Sequence, residues 1–178
     1  MELNNTDEQF MALALQEAQK AYALGEVPVG AVIVQRGNVI SSGYNLRETG
    51  KKATAHAELI AIERACEALG GWRLPDCTLY VTLEPCPMCA GAIINARIDR
   101  VVFGAYDYKA GSCGSMVNLF EIDYNHKPEL KAGVLQEECV GLLRQFFKTL
   151  REAAQQRKKQ PDLFSPEAKN IGTAGETS

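Results

Sequence analysis

The alternation of short strand-like runs with helical patterns is the feature that most constrains what this chain can fold into. Residues 29–35 and Asn38–Tyr44 read as two strands that are separated only by Arg36-Gly37, which predicts a hairpin. Three more strands are predicted farther along the chain, at Cys77–Leu83, Arg100–Ala105 and 130–133. Helical spacing of apolar residues predicts helices at 6–24, 55–69, Pro87–Ala96 and 135–160. Strands that alternate with helices indicate an α/β domain with helices on both faces of one sheet.

Composition supports one folded domain. The chain has 178 residues, of which 46% are hydrophobic and 23% charged, so residues 1–160 are expected to fold around one core. The segment 161–178 has few large apolar residues and is predicted to be a disordered tail. No apolar run approaches the roughly 18–20 residues of a membrane span, and residues 1–10 lack the pattern of a secretory signal. We therefore expect a cytoplasmic protein.

Two short motifs carry the residue types of a metal site. Without export, the six cysteines are expected to be free, metal-bound or catalytic rather than paired in disulfides. His56-Ala57-Glu58 and Cys86-Pro87-Met88-Cys89 each stand at the start of a predicted helix, where the backbone N–H groups favour a thiolate. His56, Cys86 and Cys89 would provide three ligands and leave a fourth position open, which is the catalytic zinc arrangement.

Glu58 is predicted to carry protons rather than to bind the metal. Two residues apart on a helix, the side chains of His56 and Glu58 would diverge by about 200°. Taken alone, a Cys-x-x-Cys pair after a strand is equally typical of thioredoxin-like redox sites, and a lone histidine is more often solvated than a ligand. The combination of His-x-Glu with Pro-Cys-x-x-Cys is the signature of zinc nucleobase deaminases.

Over most of residues 6–155 the chain resembles the bacterial tRNA-specific adenosine deaminases. Besides the two motifs, the resemblance is carried by runs of residues on several predicted elements: Glu26-Val27-Pro28-Val29-Gly30-Ala31-Val32, Gly43-Tyr44-Asn45, Thr78-Leu79-Tyr80-Val81-Thr82-Leu83-Glu84-Pro85 and Arg100-Val101-Val102-Phe103-Gly104-Ala105. The resemblance implies a three-layer α/β/α cytidine deaminase-like fold with a mixed sheet of about five strands. It also implies a homodimer with one Zn²⁺ per subunit.

The resemblance further implies a role for each matched residue. His56, Cys86 and Cys89 would hold the zinc, and Glu58 would shuttle protons while zinc-activated water converts adenosine to inosine at the wobble position of a tRNA anticodon loop. The substrate would be contacted by five further residues: Asn45 on the purine, Val27 and Pro28 in the pocket wall, and Asp107 and Lys109 in a loop that meets the RNA.

Four cysteines and one histidine receive no place in this site. Cys66, Cys77, Cys113 and Cys139 have no partner at ligand spacing and are expected to be free thiols, and His126 has no assigned role. Cys113 departs from the pattern of the related enzymes, which commonly have a small residue such as Ala there.

The charge of the chain is unevenly distributed. The net charge is −3, yet residues 144–160 contain six basic and one acidic side chain, a net charge of +5. This segment suits either a phosphate-binding stripe or a solvated helix end. Phe146 and Phe147 within it would stack on bases or pack in the core.

Two other functions stay open: a deaminase of a free nucleobase or nucleotide, and a non-enzymatic module that binds structural zinc or acts in redox chemistry.

Overall fold

The protein is described by a computed structural model over residues 7–159, so the predicted tail 161–178 and Thr6, the first residue of the first predicted helix, lie outside the described residues. Strands and helices alternate as the sequence predicts. The five strands are β1 (Gly30–Gln35), β2 (Asn38–Tyr44), β3 (Cys77–Leu83), β4 (Arg100–Ala105) and β5 (Glu129–Ala132). The four helices are α1 (Asp7–Ala23), α2 (Ala57–Leu69), α3 (Pro87–Ala96) and α4 (Gln136–Lys159).

The strands form one mixed sheet in the order β2-β1-β3-β4-β5. Strand β1 is antiparallel to both of its neighbours, whereas β3, β4 and β5 run parallel. The crossovers between the parallel strands require intervening elements, and α3 provides the first of them. The predicted mixed sheet of five strands is confirmed.

Each face of the sheet has its own apolar core. Helices α2 and α3 supply the first core, in which Ala61, Ala65 and Ile93 pack with Leu79 and Phe103 of the strands. Helix α1 and the beginning of α4 supply the second, built from Phe10, Met11, Ala14, Val32, Val102 and Cys139. The alternation of side chains along each strand sends successive residues to the two cores, which yields the three layers.

Helix α2 lies unusually close to the sheet at Gly43. A Cβ atom at this position would stand 2.5 Å from the carbonyl oxygen of Ala57 and 2.9 Å from the backbone nitrogen of Ala61. Any larger residue would therefore push away the first turn of α2, which is the turn that carries Glu58. The glycine is needed for this close approach.

The start of α2 differs from the prediction. The helix begins at Ala57 rather than at residue 55, and His56 is its N-cap residue, with the extended dihedral angles φ −81° and ψ 150°. The backbone just before it is bound to the preceding loop, since Leu46 N–H donates to Ala55 O at 3.0 Å and Ala55 N–H donates to Lys52 O at 3.1 Å. These loop bonds compete with a helical start at residue 55.

The far end of the chain belongs to a second compact unit. The chain divides into a compact body that runs through Phe146 and a second unit that begins at Phe147 with the remainder of α4. In residues 7–159, no helix combines the length and the hydrophobicity that crossing a membrane would require.

The ends of several strands lie close together at one edge of the sheet. Glu84 follows β3 and Asp107 follows β4, and because these strands are parallel, the two residues lie at the same edge. The antiparallel pairing of Gly30 with Tyr44 brings the residues before β1 and after β2, including Asn45, to that edge as well. Binding sites in α/β proteins commonly form outside the carboxyl ends of the parallel strands.

Candidate active site

Three potential metal ligands meet where α2 and α3 begin. The ligand atoms of His56, Cys86 and Cys89 all lie within 4.8 Å of one another. His56 is the N-cap residue of α2, Cys86 is the N-cap residue of α3, and Cys89 lies in the first turn of α3. Two helix starts therefore supply the three groups, as the motifs predicted.

The separations of the three ligand atoms fit a tetrahedral zinc ion. Zinc–sulfur and zinc–nitrogen bonds of about 2.3 Å and 2.05 Å at tetrahedral angles place nitrogen and sulfur about 3.6 Å apart. The Nδ1 atom of His56 lies 3.7 Å from Cys86 Sγ and 3.6 Å from Cys89 Sγ. One imidazole and two thiolates are also the donor set that zinc prefers, so these residues fit the ion.

The two thiols of the cluster differ in acidity. A hydrogen bond from Cys89 lowers the pKa of Cys86 to about 4, although burial opposes ionisation. The same bond, together with burial, raises the pKa of Cys89 well above its ordinary value, and the bond to Cys86 raises that of His56. Cys86 and Cys89 would both have to be thiolates to hold a cation, because the coordinating species is the thiolate.

Glu58 lies beside the metal ligands and is almost fully buried. It is 4% exposed and lies in the first turn of α2. Burial raises the pKa of its carboxyl to about 7. Because His56 adopts the extended N-cap conformation, the two side chains share one cavity despite their spacing of two residues.

A cavity of about 210 Å³ lies next to His56, Glu58 and Cys86, which form part of its lining. This is smaller than the roughly 300–1,000 Å³ of sites for drug-sized ligands, so it suits a fragment such as a single base. Its walls come from the converging strand ends and both motif helices. The lining residues are Val27, Val29, Asn45, Arg47, His56, Ala57, Glu58, Leu83, Glu84, Cys86, Asp107 and Ala110.

Comparison with known families supports the same chemistry. The family model described as the cytidine and deoxycytidylate deaminase zinc-binding region matches residues 4–105, a span that contains His56, Glu58, Cys86 and Cys89. The chain belongs to this deaminase family.

The deaminase is similar to proteins named tRNA-specific adenosine deaminase. The relative from Bacillus subtilis (strain 168) is 51% identical over 154 residues, which cover 86% of this chain and 96% of the relative. The relative from Haemophilus influenzae is 52% identical over 149 residues, covering 82% of this chain and 86% of the relative. A structure solved in studies of A-to-I editing by tRNA:A34 deaminases superposes with a TM-score of 0.72 at 47% identity, covering 75% of this chain and 97% of that one.

The structure of the deaminase places the predicted substrate residues unequally. Val27, Asn45 and Asp107 line the cavity. Pro28 is buried next to Val27 but is not among the lining residues. Lys109 is exposed and also lies outside the lining, and its backbone N–H donates to Asp107 Oδ1 at 2.9 Å. Lys109 therefore helps to shape the turn that presents Asp107.

Several cavity residues of the deaminase were missed by sequence analysis. Glu84 carried a usable signal, because a charged residue directly after the apolar strand β3 is unusual unless its charge is satisfied. Arg47 lies two residues after Asn45 without any pattern around it. Val29, Leu83 and Ala110 are apolar residues that no local pattern separates from the core.

Several residues outside the candidate site are buried or bonded within the fold. Burial raises the pKa of Cys77 to about 11 and that of Cys139 to about 12, so both remain unreactive thiols. His126 Nε2 donates to the carbonyl oxygen of Ile98 at 2.7 Å. Phe146 is buried and packs edge-on against Tyr22, with ring centroids 5.6 Å apart, whereas Phe147 is 42% exposed.

The basic segment of the deaminase is accessible. The cationic side chains of α4 whose burial is described are all exposed: Arg144, Lys148, Arg151, Arg157 and Lys158. The described part of α4 therefore leaves these cations free to meet a polyanion.

Proposed function

We propose that this deaminase hydrolyses adenosine to inosine at the wobble position of a tRNA anticodon loop. The observation that carries the proposal is the cavity in which Glu58 lies beside the His56, Cys86 and Cys89 cluster. The names of the relatives, which are tRNA-specific adenosine deaminases at about half identity, support the choice of substrate.

In this proposal His56, Cys86 and Cys89 hold one Zn²⁺ per subunit. When bound, zinc supplies a Lewis acid that makes water nucleophilic near neutral pH. The first turns of α2 and α3 fix the three ligands, and the complete burial of Cys89 restricts access of solvent to the cluster.

Glu58 carries the protons of the reaction. It accepts a proton from the attacking water as the bond between oxygen and carbon 6 of the adenine forms. It then delivers that proton to the ring nitrogen next to carbon 6. Glu58 next takes the second proton from the former water oxygen and passes it to the amino group, and the carbon–nitrogen bond breaks to release ammonia. Adenosine and one water thus become inosine and ammonia, and Glu58 returns to its initial state.

The dimensions of the cavity favour a base that is already unstacked. A base within a duplex cannot reach the cluster, whereas an anticodon loop presents unstacked bases at low cost. In the proposal, Asn45 hydrogen-bonds the purine, Val27 forms part of one wall with the buried Pro28 next to it, and Asp107 and Lys109 belong to the loop that meets the RNA. The exposed cations of α4 would contact phosphates.

We further propose that the enzyme is a homodimer and acts in the cytoplasm. The family resemblance supports the dimer, and the presence of tRNA in the cytoplasm supports the location. Sedimentation velocity across a range of protein concentrations tests the dimer, and a species of 19.5 kDa at every concentration would contradict it.

The substrate is tested by incubating the protein with total tRNA and mapping inosine at the anticodon. Free adenosine and cytidine serve as parallel substrates. The proposal expects inosine at the wobble position and negligible conversion of the free nucleosides. Efficient conversion of a free base or nucleoside would favour the small-molecule deaminase, and zinc binding without any turnover would favour a non-enzymatic module.

A further inference from the structure

A second buried carboxylate lines the same cavity as Glu58. Glu84 directly follows β3 and lies two residues before Cys86, and it is 2% exposed. A charge this deeply buried has to be satisfied by donors or counterions. The hydrogen-bond donors that contact the Glu84 carboxylate therefore indicate its role.

All of these donors belong to one loop, residues 107–115. The backbone N–H of Asp107 donates to Oε2 at 3.1 Å, and the backbone N–H groups of Cys113 and Ser115 each donate to Oε1 at 3.0 Å. The hydroxyl of Ser115 donates to Oε2 as well. One carboxylate therefore binds the 107–115 loop at its first and last residues.

The middle of the loop lies directly against the carboxylate. A Cβ atom on Gly111 would overlap the Cδ and Oε2 atoms of Glu84. The backbone N–H of Ser112 also donates to the carbonyl oxygen of Pro85 at 2.9 Å. The loop is thus attached to the segment that leads from β3 into the cysteine motif.

The attachment controls a wall of the cavity. Asp107 and Ala110 of the loop line the cavity together with Glu84 and Cys86. Moving the loop relative to β3 would therefore change the shape of the cavity beside the metal ligands without altering those ligands. This differs from Glu58, whose carboxylate receives no such set of loop donors from residues 7–159.

We propose that Glu84 is a positioning residue that holds the 107–115 loop as one wall of the substrate cavity. It acts through the loop and not on the reacting atoms. The part of the proposal that concerns substrate rests on the proposed function, whereas the attachment of the loop does not.

Substitution Glu84→Gln tests the attachment without any substrate. The glutamine amide offers one acceptor oxygen and an NH₂ group. In either orientation the NH₂ group faces at least one backbone N–H donor of the loop, which it cannot bind. Amide hydrogen exchange of a peptide covering residues 107–115 should become at least about tenfold faster, while a peptide from α2 exchanges as before. The matched control is Glu67→Gln, an exposed glutamate at the end of α2, which should leave both peptides unchanged.

The same variant tests the consequence for substrate. With an anticodon stem-loop, Glu84→Gln should raise KM about tenfold and change kcat less than about threefold, with the zinc content of the wild type. A fall in kcat at constant KM would overturn the positioning role, as would unchanged exchange in the loop or a loss of zinc that matches the loss of activity. If the wild-type enzyme fails to act on tRNA, the proposed function fails, and the exchange experiment still decides the attachment.

A milder variant covers the case in which Glu84→Gln does not fold. Ser115→Ala removes one of the four donors, so we expect a smaller increase in loop exchange and in KM. Where both variants fold, adding Ser115→Ala to Glu84→Gln should have little further effect, because both changes break the same attachment. Additive effects would show that the two residues act independently and would contradict the proposal.

Discussion

The side-chain amide of Asn45 donates a hydrogen bond to the buried carboxylate of Glu26, with 3.3 Å between Nδ2 and Oε2. Glu26 also accepts hydrogen bonds from the backbone and hydroxyl groups of Thr49, at 2.6 Å and 2.8 Å. Burial acts to raise the pKa of Glu26, but the donors of Thr49, the backbone N–H of Glu48 and the charge of Arg47 together outweigh burial and hold that pKa below its ordinary value. Since a carboxylate only accepts, the Asn45 amide is oriented with Nδ2 toward Glu26, which leaves Oδ1 for other partners.

Replacing Asn45 should weaken binding of the base. Asn45→Ala is expected to raise KM for an anticodon stem-loop about fivefold to tenfold, which corresponds to one hydrogen bond of about 1 kcal/mol. Glu26→Gln should change KM in the same direction, because it releases the orientation of the Asn45 amide. Asn38→Ala, in the exposed hairpin, is the control. If steady-state kinetics give the same KM for Asn45→Ala and Asn38→Ala, Asn45 does not contribute to binding of the base.

Removing the Glu58 carboxylate should slow turnover strongly and leave the metal in place. Glu58→Ala is expected to retain one zinc per chain and to lower kcat by about 10²–10⁴, the usual contribution of a proton-transfer group. Metal analysis and single-turnover rates are measured on the same preparation. Glu63→Ala, on the exposed side of the same helix, is the control. Loss of zinc in proportion to activity would identify Glu58 as a ligand instead.

Replacing a cysteine of the cluster should release the metal and destabilise the protein. Cys86→Ser or Cys89→Ser is expected to lower both zinc content and thermal stability, because metal binding contributes to the free energy of folding. Chelation of the wild type should lower Tm similarly. Cys66→Ser is the matched control and should keep the wild-type zinc content. A variant of Cys86 that still binds a full equivalent of zinc would contradict the ligand assignment.

A network around Asp7 should make stability depend on pH. Arg100 donates to both oxygens of Asp7, at 2.8 Å and 3.0 Å, while Lys131 and Tyr80 donate at 2.6 Å and 2.9 Å. The bonds from Arg100 above all hold the pKa of Asp7 far below its ordinary value. The resulting stability is present above the unfolded-state pKa of about 3.9 and disappears as the pH falls toward the folded-state pKa.

Asp7→Asn should therefore lower the free energy of unfolding at pH 7 by about 2 kcal/mol, between the values for exposed and buried ion pairs. Urea denaturation across pH 2–7 should show the difference from wild type shrinking below about pH 4. Asp76→Asn breaks the exposed pair with Arg36 and is expected to cost less than about 0.5 kcal/mol. A difference for Asp7→Asn that does not vary with pH would contradict the ion-pair explanation.

Reversing charges on α4 should weaken binding of RNA. The triple variant Arg151→Glu, Arg157→Glu and Lys158→Glu is expected to raise Kd for an anticodon stem-loop at least about tenfold near 0.1 M salt. The slope of log K against log salt should become less steep by about 0.7–0.9 for each lost phosphate contact. Reversal at Arg36, Arg73 and Lys127 changes the same number of charges elsewhere and serves as the control. Equal binding of RNA by both variants would show that the cations of α4 are a solvated helix end and do not bind phosphates.

Local patterns of sequence accounted for the elements and for the motif residues. The predicted bounds of β3, α3 and β4 are the observed ones, because an apolar run ended by Glu84-Pro85 and a proline at the first helical position are local signals. The start of α2 was predicted two residues early, because the backbone bonds of Ala55 to Leu46 and Lys52 depend on how the preceding loop folds back. Spacing alone could not reveal that competition.

The sequence by itself therefore determined the order of strands and helices and the residue types capable of holding zinc. Only the tertiary structure decided that His56 lies 3.6–3.7 Å from two cysteines that are at least 30 residues away along the chain. It also decided that Glu84 is buried in the wall of the cavity and that Glu26 is buried beside Asn45. Glutamates are mostly exposed, and burial of these two becomes tolerable only where Asn45, Thr49 and the 107–115 loop bring donors to them, an arrangement that forms when distant strand ends meet at one edge of the sheet.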